Sequence, residues 1–278
     1  MNNCFDEKFC KKFYKVSYYF LLEILPKEID KDDLEKKYFN PKSKINTLED
    51  LFERMIISAQ NYQRMPNVIN FKDKKEKVKQ LLFDYNLLEI SKISRDDLYA
   101  KFQREFKLHT TSKNKKQDIL YKWSQSIIDS ASFFTSFKDV NDFKNFIDLF
   151  RYNVETKTAL PLLISTKIFG MGFPLACDFL KEIGYTDFPK PDVHIKDIIK
   201  VLLKSDTENK ISDILAYEII IDIATKSNVT PYKMDKILWL ICSGKFYEHD
   251  TKPQSHKKEF LKILNGIWFF LSKPQYLF

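Results

Sequence analysis

Apolar residues recur at helical spacing along most of the chain. Phe9, Phe13, Val16, Tyr19 and Phe20 repeat in this way, which predicts a helix over about 5–25 that ends before Pro26. Asn46-Thr47 ahead of Leu48-Glu49-Asp50 reads as a cap with an acidic first turn, and predicts a helix through about 60. The same periodicity predicts helices near 74–85, 95–106, 115–136, 140–151, 156–168 and 174–183. Later ones are predicted near 192–203, 211–226, 231–243 and 255–271. Loops are marked by Pro41, Pro66, Pro189, Pro191, Pro231 and Pro253. No stretch sustains the period-two alternation of a half-buried strand. The expected class is all-α, without internal repeats.

Composition narrows this picture. A chain of 278 residues, 44% apolar and 15% aromatic, can bury one large core or two lobes and is not disordered. Its longest apolar runs, such as Ile267–Leu271, fall far short of the roughly 20 residues that span a bilayer. The opening MNNCFDEKFCKK mixes acid and base and has no apolar signal region. The expectation is a cytoplasmic, bacterial-type monomer with no membrane partner. Cys4, Cys10, Cys177 and Cys242 are scattered and form no C-x-x-C. This argues against a disulfide framework, a zinc ribbon or a four-Cys iron–sulfur loop. Cys4 and Cys10 read as packing or incidental residues. The net charge of +8 and pI near 9.0 suit a polyanion partner. The positive charge is nearly all Lys, however, with five Arg. An AT-rich genome produces the same bias, so charge alone does not decide.

Glycine usage points to one place. There are five glycines, where average composition gives roughly nineteen. Glycine-rich phosphate loops of the usual kinds are absent. Gly170, Gly172 and Gly184 nevertheless fall close together. Leu160, Leu163, Ile164 and Ile168 form an apolar helix face. Phe169-Gly170-Met171-Gly172 then reads as a turn, and Phe173-Pro174 as the start of the next helix. Leu175, Ala176, Phe179 and Leu180 face inward, and Gly184 suits the position after the helix end. Glycines at 170 and 172 would let backbone approach backbone. The N–H groups opening the second helix could hold a phosphate without side-chain charge. Pro189-Lys190-Pro191-Asp192-Val193-His194 follows, with Asp192 at an N-cap. The Lys run at 113–116 reads as a solvated helix start. The aromatics of 132–137 read as core.

The run FGMGFPLA followed by P-x-P-D-V-H resembles the helix-hairpin-helix–Gly/Pro/Asp DNA glycosylase superfamily. It is most similar to the 8-oxoguanine and 3-methyladenine glycosylase branches. Leu51–Asn61, with its S-A-Q ending, resembles the early helix of endonuclease III. Residues Pro231–Trp239 are similar to the late helix that lines the base pocket. The resemblance covers about 48–245. It implies two helical lobes, 48–185 and 1–47 with 186–278, and a base pocket between them. The N-terminal helix would replace the β-rich extension of the 8-oxoguanine branch.

The resemblance also implies roles. Such enzymes flip a damaged or modified base out of double-stranded DNA and cleave its N-glycosidic bond. Asp192 falls at the family's invariant aspartate, which would stabilise charge on the sugar and activate water. A simple helix cap is the competing reading, and one carboxylate can do both. Bifunctional members carry a Lys where this chain has Pro174, which implies a monofunctional enzyme without lyase activity. Lys167 and Lys181 do not match that position and are expected to face solvent. Gly170, Met171, Gly172 and Phe173 would contact the DNA backbone, and His194 would contact a phosphate. Gln60, or Asn61 in its place, would fill the gap left by the flipped base. Asp178, Asp235, Trp239 and Pro174 would line the base pocket. Trp239 could equally be core, and Asp178 equally exposed. No organic cofactor is implied. A monovalent cation on the backbone carbonyls of Thr166, Ile168 and Met171 is. Two further readings are an inactive DNA-binding module on the same fold and a helical interaction protein with no nucleic-acid role.

Overall fold

The computed structural model describes residues 4–40, 45–61, 71–108, 114–204 and 210–271. The expected loop signals Pro41 and Pro66, and Lys113, lie outside the described residues. No strand occurs among the described residues. The α-helices are α1 Glu7–Glu23, α2 Lys31–Asp33, α3 Leu48–Gln60, α4 Phe71–Leu81, α5 Leu87–Lys92, α6 Arg95–Phe106 and α7 Ile119–Phe134. They continue as α8 Val140–Asp148, α9 Val154–Lys167, α10 Phe173–Glu182, α11 Val193–Leu202, α12 Asp213–Lys226, α13 Pro231–Ser243 and α14 Lys257–Leu271. The all-α class expected from periodicity is the class observed.

Local chemistry sets the helix starts. Asp6, Thr47, Ser94, Asp118, Asp139, Asn153, Asp192, Ser212 and Thr230 each accept a backbone N–H of the helix they precede. These side chains satisfy donors that have no intrahelical acceptor. Thr47 and Asp50 form a reciprocal capping box, as the sequence predicted.

Four local expectations are corrected. The helix expected over 74–85 ends at Leu81; Phe83, Asp84 and Tyr85 then adopt left-handed φ of 52°, 53° and 67°. The helix expected over 115–136 breaks at Asp118, whose buried side chain caps α7 after a 3-10 turn. The short α5, and α2 with the π-turn Leu34–Tyr38 that follows it, were not foreseen. Tyr19 is exposed, and the buried face of α1 is Cys10, Phe13, Ser17, Phe20 and Leu21.

The chain divides into two compact units: Ser43–Ile183, and Met1–Lys42 with Gly184–Phe278. In the first, the Trp123 indole N–H donates to the Ile56 carbonyl at 3.0 Å. Phe134, Phe143 and Phe179 form a buried ring cluster with centroids 5.3–6.2 Å apart. Ser124 and Ser130 on α7 donate back to carbonyls one turn earlier, at 2.9 and 2.6 Å. In the second unit, α1, α11, α12, α13 and α14 share one apolar core that includes Phe13, Phe20, Ile198, Ile220, Ile237 and Phe260. Lys226 ties the N-terminus to α12 through the Phe5 carbonyl at 2.6 Å. Lys233 grips Glu35 at 2.7 and 2.9 Å. No helix among the described residues is long and apolar enough to cross a membrane.

Candidate nucleic-acid interface and candidate catalytic carboxylate

Helix α9 ends at Lys167, and the chain turns back into α10 within five residues, 168–172. The Met171 N–H donates to the Ile168 carbonyl at 3.1 Å and closes the turn. Gly170 sits at φ +75°, and a Cβ there would lie 3.2 Å from Ser126 Oγ. The left-handed φ favours glycine at 170, and a Cβ there would also press on Ser126. Two α7 side chains hold the turn. Ser126 Oγ donates to the Phe169 carbonyl at 2.6 Å, and Asp129 accepts the Phe169 N–H at 2.9 Å. Met171 and Phe173 are buried.

Gly172 corrects an expectation. Its φ of −70° and ψ of 166° are open to any residue, and a Cβ would meet only the Pro174 Cδ at 3.8 Å. Its distinction is that, as the N-cap of α10, it brings no capping side chain. Its carbonyl accepts the Leu175 and Ala176 N–H groups at 2.9 and 3.0 Å. The N–H groups of Gly170 and Gly172 donate to no acceptor among the described residues. Two backbone donors at a helix start are thus open to an outside anion. Of the carbonyls of Thr166, Ile168 and Met171, that of Ile168 takes the Met171 N–H, which leaves one of its two lone pairs.

Asp178 is buried on α10. It accepts from Ser58 Oγ at 3.2 Å and Asn61 Nδ2 at 3.4 Å; Arg54 lies 3.7 Å and Lys181 Nζ 3.9 Å from its carboxylate. Pro174, half-buried in the first turn of α10, stands one turn before Asp178. Lys181, expected to face solvent, is buried at 4% exposure because its position on α10 turns it to the Asp178 side. Lys167 is exposed, as expected. Gln60, at the end of α3, is buried, and Asn61 is exposed.

In the other unit, Asp192 caps α11. Its Oδ1 accepts the His194 and Ile195 N–H groups at 2.8 and 3.1 Å. Its Oδ2 accepts no hydrogen bond among the described residues and is not sealed off from solvent. The approach to Asp192 is rigid. Pro189 and Pro191 have fixed φ and no N–H, so Lys190 supplies the one amide donor of the three residues. That N–H donates to Asp235 Oδ2 at 3.0 Å, and the Lys190 carbonyl accepts the Asp192 N–H at 2.8 Å. Helix α13 also fixes the segment upstream, through the Tyr232 N–H to the Thr186 carbonyl at 2.9 Å. Asp235 is 1% exposed, and its carboxylate is engaged with the loop before Asp192.

Trp239, one turn after Asp235, is half-buried at the edge of the core. The neighbouring Lys236 is buried, bonds Tyr247 Oη at 3.0 Å, and lies 5.1–5.8 Å from the rings of Tyr232, Trp239 and Tyr247. His194 is half-buried, with Nδ1 buried and making no hydrogen bond. Burial pushes its pKa below the usual imidazole value, against the opposing pull of Asp192. Burial likewise pushes the Cys10 and Cys242 thiols up to about 11 and about 12, so both are unreactive packing groups.

Sequence reasoning missed Ser126, Asp129, Lys190 and the burial of Lys181. An i, i+3 pair on α7 carries no sign that its partner is a turn some forty residues away.

A helix, a tight turn on glycine and a second helix form a helix-hairpin-helix within an all-α fold, and a capping aspartate follows a Pro-x-Pro loop. The fold matches crystal structures of 8-oxoguanine DNA glycosylase from Methanocaldococcus jannaschii. The structure of that glycosylase/lyase with a 15mer DNA containing 8-oxoguanine gives a TM-score of 0.52 at 18% identity, over 82% of this chain and 98% of that one. A second structure of the enzyme gives 0.52 and 18% over 85% and 98%. At this identity the likeness is one of fold. No protein-family model and no curated protein matches the sequence.

Proposed function

We propose that the chain is a monofunctional DNA glycosylase. It flips a damaged or modified base from double-stranded DNA and hydrolyses its N-glycosidic bond with Asp192. The observation that carries this reading is the Asp192 carboxylate: one oxygen is spent on capping α11 and the other is open, behind a Pro-x-Pro loop pinned to α13. The shared fold with an 8-oxoguanine glycosylase/lyase supports it. As the N-glycosidic bond breaks, positive charge develops on the sugar. A fixed carboxylate stabilises that charge and can take a proton from the attacking water. The Gly170 and Gly172 amides hold a phosphate of the DNA backbone, and such a contact is independent of sequence. Pro174 offers no amine, so the reaction stops at an abasic site and the strand is not nicked.

The test is a panel of duplexes carrying single lesions, beginning with 8-oxoguanine and 3-methyladenine. Each is incubated with the protein and then treated with alkali to reveal abasic sites. Strand cleavage is expected only after alkali. Asp192→Asn is expected to slow release about 10²–10⁴-fold while the thermal midpoint holds, because Asn caps a helix as well as Asp. A variant with full activity would rule out this role for Asp192. Pro174 also favours a second reading, an inactive DNA-binding module. That reading predicts duplex binding with no abasic product from any substrate.

A further inference from the structure

The described arginines differ in one respect. Arg54, Arg104 and Arg151 each have a carboxylate within 4.0 Å: Asp178, Glu105 and Asp148. Arg95 has none. It is the first residue of α6 and is half-buried. Its Nε donates to the Tyr121 carbonyl at 2.8 Å. Its guanidinium stacks 3.7 Å from the Tyr121 ring centroid and lies 5.0 Å from that of Phe169. The nearby acids are committed elsewhere. Asp96 pairs with Lys115 at 2.5 Å. Asp129 accepts the Phe169 N–H and the Gln125 amide, at 2.9 and 2.8 Å.

A half-buried cation with no ion-pair partner within 4.0 Å among the described residues has lost hydration, and burial lowers its pKa against the opposing pull of Tyr121, Asp129 and Asp96. A guanidinium has five N–H donors. Here one is spent, and the spent one fixes the group. The remaining donors form a planar fork that suits two oxygens of a phosphate. Phe169, which flanks this fork, belongs to the hairpin turn and is 45% exposed. The fork and the open hairpin amides are therefore joined through one residue.

We propose that Arg95 is a phosphodiester-binding residue that extends the hairpin contact to a neighbouring phosphate of the DNA backbone. Its side chain is held by the Tyr121 carbonyl and ring, so binding forfeits little rotamer freedom. The proposal rests on the DNA-binding half of the glycosylase reading and is independent of base release.

The experiment measures affinity for an undamaged duplex by fluorescence anisotropy across a salt series. Wild type, Arg95→Gln and Arg95→Lys are compared, with thermal unfolding as a folding control. Loss of one phosphate contact lowers the slope of log K against log salt by about 0.9. Arg95→Gln is expected to show that loss and weaker binding, and Arg95→Lys to restore the slope. A second measurement needs no variant. Phenylglyoxal modification of Arg95, mapped by mass spectrometry, is expected to be blocked by the duplex. The proposal is overturned if Arg95→Gln keeps the wild-type slope, if the duplex leaves Arg95 reactive, or if wild type binds no duplex at low salt. If binding depends on Arg95 but no base is released, the proposal stands and the catalytic reading falls.

Discussion

The two units hold their candidate chemistry in opposite ways. In Ser43–Ile183 the hairpin turn is shaped by backbone freedom at one residue, Gly170, and the carbonyl and N–H of Phe169 are taken by Ser126 and Asp129 on α7. In the unit that includes Gly184–Phe278, the loop before Asp192 has almost no backbone freedom, because two prolines bracket Lys190. A single buried carboxylate, Asp235, then fixes its orientation. The first arrangement leaves backbone N–H groups open, which suits a phosphate. The second leaves one carboxylate oxygen open, which suits a reacting sugar. A backbone meant to donate is kept free of side chains, and a side chain meant to react is placed on a backbone that cannot shift.

This contrast can be broken first at Asp235. Asp235→Leu leaves the half-buried Lys190 N–H without that acceptor, so a loss of about 1–3 kcal/mol is expected, measured by urea unfolding. Asp235→Asn retains an acceptor and is expected to recover most of it. If Leu and Asn behave alike, the carboxylate is not what pins the loop. A smaller effect is expected in the hairpin. Gly170→Ala forces an L-residue into a left-handed conformation beside Ser126 and should cost about 1–2 kcal/mol. Gly172→Ala should leave the unfolding midpoint within about 0.5 kcal/mol. Equal destabilisation by the two would show that the turn depends on both glycines.

The smallest effect concerns His194. Its folded-state pKa lies below the unfolded value of about 6.5, so the unfolded chain binds more protons as pH falls through that value. Stability is full above it and declines below it until the folded-state pKa is reached. The urea midpoint of wild type should fall between pH 7.5 and 5.5, and His194→Gln should show a shallower fall. An unchanged slope would assign the pH dependence to other groups.

The sequence by itself determined the elements. Periodicity over α3, α6 and α9–α13 was enough to place those helices, and Thr47 and Asp192 signalled two of their starts, because a cap is chemistry between residues two or three apart. It also brought Gly170, Gly172 and Asp192 forward together. It could not separate Gly170 from Gly172, since glycine is one letter whether or not φ is positive. It gave no sign of the left-handed run at Phe83–Tyr85, which an ordinary amphipathic pattern conceals.

Only the tertiary structure decided which polar groups meet. Arg95 became unusual through what is missing around it, and Asp235 through a single backbone N–H supplied from Lys190. Lys181 reads as a surface lysine until α10 is placed against α3 with Asp178 between them. The physical reason is one of range. Caps and helix periods are fixed by neighbours in the chain. The surroundings of a buried or unpaired charge are fixed by residues far away in sequence, and a local pattern does not record them.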